Sequence, residues 1–189
     1  MKNDFLNHID KTWTLFLDRD GVINSRIWGG YVTKPAEYNF LPGVLDSIAF
    51  FTSFFGKIII VTNQQGIGKG IMTEQNLATV HNYMNYEISN ACGKIDSIYY
   101  CTDLVEKNDN CRKPSITMAQ NAVHDFPEID LTKSIMVGDS QSDIDFGRNA
   151  GMHTVLVKHD NEDISICNAD IEVKSLAELK SQIEKLKQL

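Results

Sequence analysis

Residues Thr12–Asn24 read TWTLFLDRDGVIN. The first six form a β-branched and aromatic run with almost no polar break. A strand covered on both faces of a parallel sheet reads this way, whereas a half-exposed strand alternates. Asp18-Arg19-Asp20-Gly21 follows at once. Two carboxylates two residues apart at a strand end can converge on one cation if the loop curls, and a glycine permits the curl. Runs of the same character recur at Lys57–Val61, Ile95–Tyr100, Ser134–Val137 and His153–Val157. Helical patterns separate them, at Val44–Phe55, Thr73–Asn90, Ser115–Asp125 and Gln141–Ala150, and a last one at Leu176–Leu186 follows Ser175-x-x-Glu178. This alternation predicts βαβ crossovers and a three-layer, Rossmann-like α/β fold with a mostly parallel central sheet. In such folds ligands bind outside the carboxyl ends of the strands, so the residues just after each strand are where chemistry is sought.

Those residues form a set. After the second run stand Thr62, Asn63, Gln64, Gln65 and Gly66, and Arg112-Lys113-Pro114 precedes a helical pattern. After the fourth run comes Gly138-Asp139-Ser140-Gln141-Ser142-Asp143. Its two acids are four apart, a spacing that predicts one face of a helical first turn. Each piece alone is a common turn, cap or solvated pair. Together, at one sheet edge, they describe a site. Acids crowded on one rim repel unless a cation sits among them, and all-oxygen ligation selects a hard ion, Mg²⁺ being the common one. Lys113, Thr62 and loop amides supply donors for a phosphoryl group. One aspartate can then attack phosphorus, while a second protonates the leaving oxygen and later activates water.

The set resembles the four motifs of the haloacid dehalogenase superfamily of Mg²⁺-dependent phosphohydrolases: DRDGVIN, VTNQQG, RKP and GDSQSD, spanning about Leu15 to Val157. The resemblance implies Asp18 as nucleophile and metal ligand, and Asp20 as acid/base with its carbonyl on the metal. It implies Thr62 and Lys113 as phosphate-binding, and Asp139 and Asp143 as metal-site carboxylates. The segments Gly30-Tyr31-Val32, Asn39–Val44, Thr62–Gly70 and Ile98–Cys101 are similar to the heptose bisphosphate phosphatase branch. Histidinol-phosphate phosphatases are a close sister, and a nucleic-acid 3′-phosphatase or a non-catalytic phosphosugar-binding module are the other readings. By this likeness Asn63, Gln64, Gln65 and Arg112 line the substrate pocket, with Tyr31 toward its far end. A guanidinium suits a second phosphate, which it binds with two parallel donors. The stretches between motifs are too short for a large cap domain, so the expectation is an open site on a single domain over residues 1–189.

Both sister branches carry a zinc loop where this chain has Cys101, Asp103, Asp109 and Cys111. Structural zinc prefers Cys and His, so the expectation is a zinc-free loop with two ordinary thiols. With 42% hydrophobic and 23% charged residues the chain has ordinary globular composition, and its net charge of −7 disfavours a general nucleic-acid binder. The polar start and the absence of any long apolar run predict a cytoplasmic protein away from membranes, with reduced cysteines. A monomer acting on a small phosphorylated sugar is the partner expectation.

Overall fold

The structure is a computed structural model that describes residues 4–159 and 168–187. Six strands form one sheet: β1 (Thr14–Leu17), β2 (Lys57–Asn63), β3 (Ser97–Cys101), β4 (Ser134–Gly138), β5 (His153–Val157) and β6 (Ile171–Val173). Their order is β3-β2-β1-β4-β5-β6, and every neighbouring pair is parallel. Five α-helices accompany them: α1 (Val44–Phe54), α2 (Glu74–Asn90), α3 (Thr117–Asp125), α4 (Gln141–Asn149) and α5 (Leu176–Lys187). This is the three-layer α/β fold that the alternation of runs predicts, with no large cap among the described residues. Strand β6 was not foreseen, because three residues carry too little pattern to separate a strand from a turn.

The period-two geometry of the strands sorts the core into two layers. Leu15, Leu17, Ile58, Ile60, Ile135 and Val137 point to one face, where residues of α1, α2 and α5 cover them. Phe16, Ile59, Val61 and Met136 point to the other, against α3 and α4. Burial on both faces is why these strands read as unbroken apolar runs. Thr73 caps α2 through a reciprocal box with Asn76, and Ser140 caps α4 through one with Asp143.

The chain runs outward from β1 through β2 to β3, then returns to the other side of β1 with β4. The crossovers therefore diverge between β1 and β4 and leave a crevice at their carboxyl ends. Leu17 pairs with Val137 in the register, and the Asp18 amide donates to the Val137 carbonyl at 2.9 Å. Asp18 and Asp139 consequently leave the sheet side by side, although far apart in sequence.

The expectation of reduced thiols is overturned at two positions. Cys101, at the end of β3, is disulfide-bonded to Cys111, with Cα atoms 5.6 Å apart. The loop between them folds back on itself, which a spacing in sequence does not reveal. Cys92 is a free, exposed thiol, and Cys167 lies outside the described residues. No helix among the described residues is long and apolar enough to cross a membrane.

Candidate active site

The crevice opens into a cavity of about 520 Å³. Asp18, Asp20, Thr62, Lys113 and Asp143 line its floor, and Arg26, Trp28, Tyr31, Asn63, Gln65, Lys69 and Arg112 its walls and mouth. Residues singled out after β1, β2 and β4 and before α3 thus meet in one place, while Asp139 and Gln64 lie outside the cavity lining.

Lys113 is the hub of the floor. Its buried ammonium donates to Asp18 Oδ1 at 2.7 Å and to the Val61 carbonyl at 2.8 Å, and pairs with Asp143 Oδ1 at 2.6 Å. Burial pulls its pKa down, but Asp143 and Asp18 outweigh that cost and hold it above the usual lysine range. Asn63 fixes this stretch from beside it: its Oδ1 accepts from the Lys113 amide at 3.0 Å.

Asp18, Asp139 and Asp143 are all buried, and one carboxylate oxygen from each lies within 4.8 Å of the others. Burial pushes the Asp18 carboxyl up; Lys113 opposes this, while Asp143 and Asp20 add to it. Burial and then Asp18 push Asp139 up as well, against Arg26. The Arg26 guanidinium reaches across to Asp139 Oδ1 at 2.6 Å and to the Asp20 carbonyl at 3.3 Å. For Asp18 and Asp139 burial comes first and the neighbouring carboxylates add to it, so three acids gathered this closely call for a cation among their oxygens. An all-oxygen donor set of this kind fits Mg²⁺. Asp139 and Asp143 do not share a helix face: Asp139 follows the end of β4, and Asp143 sits in the first turn of α4. The Asp143 Oδ2 accepts from the Ser140 amide at 3.1 Å as the cap of that helix. With its other oxygen on Lys113, Asp143 braces the floor.

Two glycines make room for these acids. A Cβ on Gly21, which has φ +98°, would stand 1.7 Å from Asp139 Oδ2, and one on Gly138 would stand 2.1 Å from the Asp143 Cβ.

Asp20 is held differently. Asn24 and Gln64 each donate to it at 2.9 Å, and Arg19 Nη2 contacts both of its oxygens at 3.0 and 2.8 Å. Burial would raise its pKa, but these donors prevail and keep it below the usual range. Gln64 therefore departs from the expectation of a pocket residue. It is buried, turned under the cavity, and ties Asp20 to the Thr62 hydroxyl at 2.9 Å. Only its Nε2 is paired there; its buried Oε1 has no hydrogen-bond partner among the described residues.

At the zinc-like loop, ligand atoms of Cys101, Asp103 and Cys111 cluster, but the two sulfurs are bonded to each other and neither is offered as a thiolate. Asp103 instead accepts from the Cys111 amide at 3.1 Å and pairs with Lys107 at 2.6 Å. Asp109 is exposed and outside that cluster. Sequence reasoning missed Arg26 and Lys69, which line the cavity from loops with no periodic signal. It also missed His81, which meets Arg19 from a distant helix.

A parallel sheet with its acids and one lysine gathered at the β1–β4 crevice defines a class of hydrolase. The chain belongs to the haloacid dehalogenase-like hydrolases, and it is a phosphatase. Residues 110–179 match the family model described as HAD-hydrolase-like. The chain is 36% identical over 152 residues to the D-glycero-alpha-D-manno-heptose-1,7-bisphosphate 7-phosphatase of Campylobacter jejuni, across 80% of this chain and 86% of that one. It is 33% identical over 137 residues to the enzyme of the same name from Mycobacterium tuberculosis, across 72% of each. Among solved structures, the D,D-heptose 1,7-bisphosphate phosphatase of B. bronchiseptica, complexed with magnesium and phosphate, superposes with a TM-score of 0.83 at 26% identity, covering 92% of this chain and 98% of that one.

Proposed function

We propose that this phosphatase removes one phosphate from a small sugar bisphosphate, most specifically the 7-phosphate of D-glycero-D-manno-heptose 1,7-bisphosphate, through an aspartyl-phosphate. The observation that carries the reading is Asp18 at the cavity floor, its carboxylate fixed by Lys113 at 2.7 Å, with Asp20 lining the same floor. The Asp18 carboxylate attacks phosphorus; a P–O bond forms to it as the bond to the sugar oxygen breaks. Asp20, protonated once the phosphoryl dianion lies against it, gives its proton to that leaving oxygen. Now a carboxylate, the state its three donors favour, it takes a proton from water as the water oxygen attacks the aspartyl-phosphate. Inorganic phosphate leaves and Asp18 is regenerated. Lys113 and the Thr62 hydroxyl hold the phosphoryl oxygens. Asp18, Asp139 and the Asp20 carbonyl would hold Mg²⁺, with Asp143 against Lys113 behind them. The ion supplies charge neutralisation for the phosphoryl group and its transition state.

The open mouth supports a substrate larger than one phosphate. Tyr31, Asn63, Gln65 and Arg112 line it, and Arg112 suits a second phosphate at the far end. The likeness to enzymes named for heptose bisphosphate supports the same substrate.

The test is phosphate release from a panel: both anomers of heptose 1,7-bisphosphate, fructose 1,6-bisphosphate, histidinol phosphate and a 3′-phosphorylated oligonucleotide. Heptose bisphosphate should lead by kcat/KM. EDTA should abolish release and added Mg²⁺ restore it. Preference for histidinol phosphate or the oligonucleotide would replace the substrate reading, and turnover undiminished by EDTA would remove the metal.

A further inference from the structure

Of the three donors to Asp20, Arg19 is the one that needs support of its own. Its side chain is 1% exposed, and its Nε has no hydrogen-bond partner among the described residues. A buried guanidinium with an idle nitrogen is steered by whatever grips its other two. Nη2 meets Asp20; Nη1 lies 3.1 Å from Nε2 of His81. His81 arrives from α2, is only 7% exposed, and has the Tyr100 ring packed edge-on at 5.9 Å. Arginine has no acceptor, so this contact requires an unprotonated Nε2 with the ring proton on Nδ1. Burial first, and then the charge of Arg19, push the His81 pKa down to about 3, so the ring stays neutral and accepting at working pH.

We propose that His81 is a positioning residue for the phosphatase reaction: its Nε2 holds Arg19 Nη1 and thereby fixes the guanidinium that aims the Asp20 carboxyl at the leaving oxygen. The inference rests on the reading of Asp20 as acid/base given above. Neither Arg19 nor His81 need touch the substrate. The chain spends a buried cation and a buried imidazole on the orientation of one carboxyl, and an exposed aspartate would be free to rotate away.

A misaimed proton donor matters only where the leaving group needs a proton. A sugar alkoxide does; p-nitrophenolate does not. The experiment therefore compares kcat/KM, which reports the steps through ester cleavage, for a sugar phosphate and for p-nitrophenyl phosphate. It uses the Mg²⁺-loaded parent, His81→Phe and His81→Gln. In His81→Phe the sugar-phosphate value should fall by about 30-fold, less than the roughly 10²–10⁴-fold that losing general acid catalysis outright would cost because Asn24 and Gln64 still hold Asp20, and at least tenfold more than the p-nitrophenyl value. His81→Gln, whose side-chain carbonyl can accept from Arg19, should recover most of that selective loss. Equal losses on both substrates, or full activity of a folded His81→Phe, would overturn the proposal. Should His81→Phe fail to fold, Arg19→Lys carries the test. It keeps the charge but cannot span His81 and Asp20, so it must show the same selective loss. A parent active on both substrates whose variants show no selectivity sinks this inference alone. A parent inactive on both sinks the reading beneath it, and the inference with it.

Discussion

Arg112 and Lys113 are neighbours in the chain and sit in opposite regimes. Lys113 is 5% exposed, with two carboxylates and a carbonyl around its ammonium. Arg112 is half-buried at the mouth, held by a long 3.5 Å contact to the Asp103 carbonyl. The floor is thus fixed by charge pairs out of water, where each contact is strong and each loss is costly. The mouth is built largely from loops with exposed or half-buried side chains, where a charge is better screened and a substitution better tolerated. On the proposed function, chemistry belongs to the first region and choice of substrate to the second.

The sharpest way to break this division is Asp18→Asn. Turnover should fall by about 10³-fold or more, while the melting temperature stays within about 3 °C of the parent, about 1 kcal/mol for a chain of this size. Lys113 keeps Asp143 and the Val61 carbonyl, and burial already pushes the Asp18 carboxyl up, so ionised Asp18 contributes little to folding. Residual activity within tenfold would remove the nucleophile. Arg26→Gln probes a wall side chain that reaches the acids beneath the cavity. Without its guanidinium on Asp139, Mg²⁺ should bind about tenfold tighter by calorimetry, about 1.4 kcal/mol. Unchanged or weaker binding would show that Arg26 does not compete for those oxygens. Arg112→Ala should be mildest: KM for a bisphosphate rises about fivefold, KM for a monophosphate less than twofold, and kcat hardly moves. A fall in kcat on both would place Arg112 with the floor.

The same division governs what the sequence disclosed. Strands β1, β2 and β4 are legible because they are buried on both faces, and their polar ends stand out against the apolar runs. Asp18, Thr62 and Asp139 could be singled out because strand ends in such sheets share one edge, and Lys113 because it stands in a loop just before a helical pattern. The rest depends on where side chains turn after the backbone is set. Gln64 follows Asn63 in an apparent pocket loop but faces inward, because a buried carboxylate lies there. His81 sits in an ordinary amphipathic helix, and only packing brings it to Arg19. Cys101 and Cys111 read as loose thiols because the fold of the loop between them carries no periodic signal.

Gly21 and Gly138 bear on how this site tolerates change. Each leaves empty the volume that a carboxylate fills, Asp139 against one and Asp143 against the other. Systematic truncation to alanine, the customary search for important side chains, adds atoms here instead of removing them. A single methyl at either position would wedge an acid out of place with the sheet left standing. Variant libraries over this chain should therefore show two silent-looking letters as immovable as the aspartates themselves.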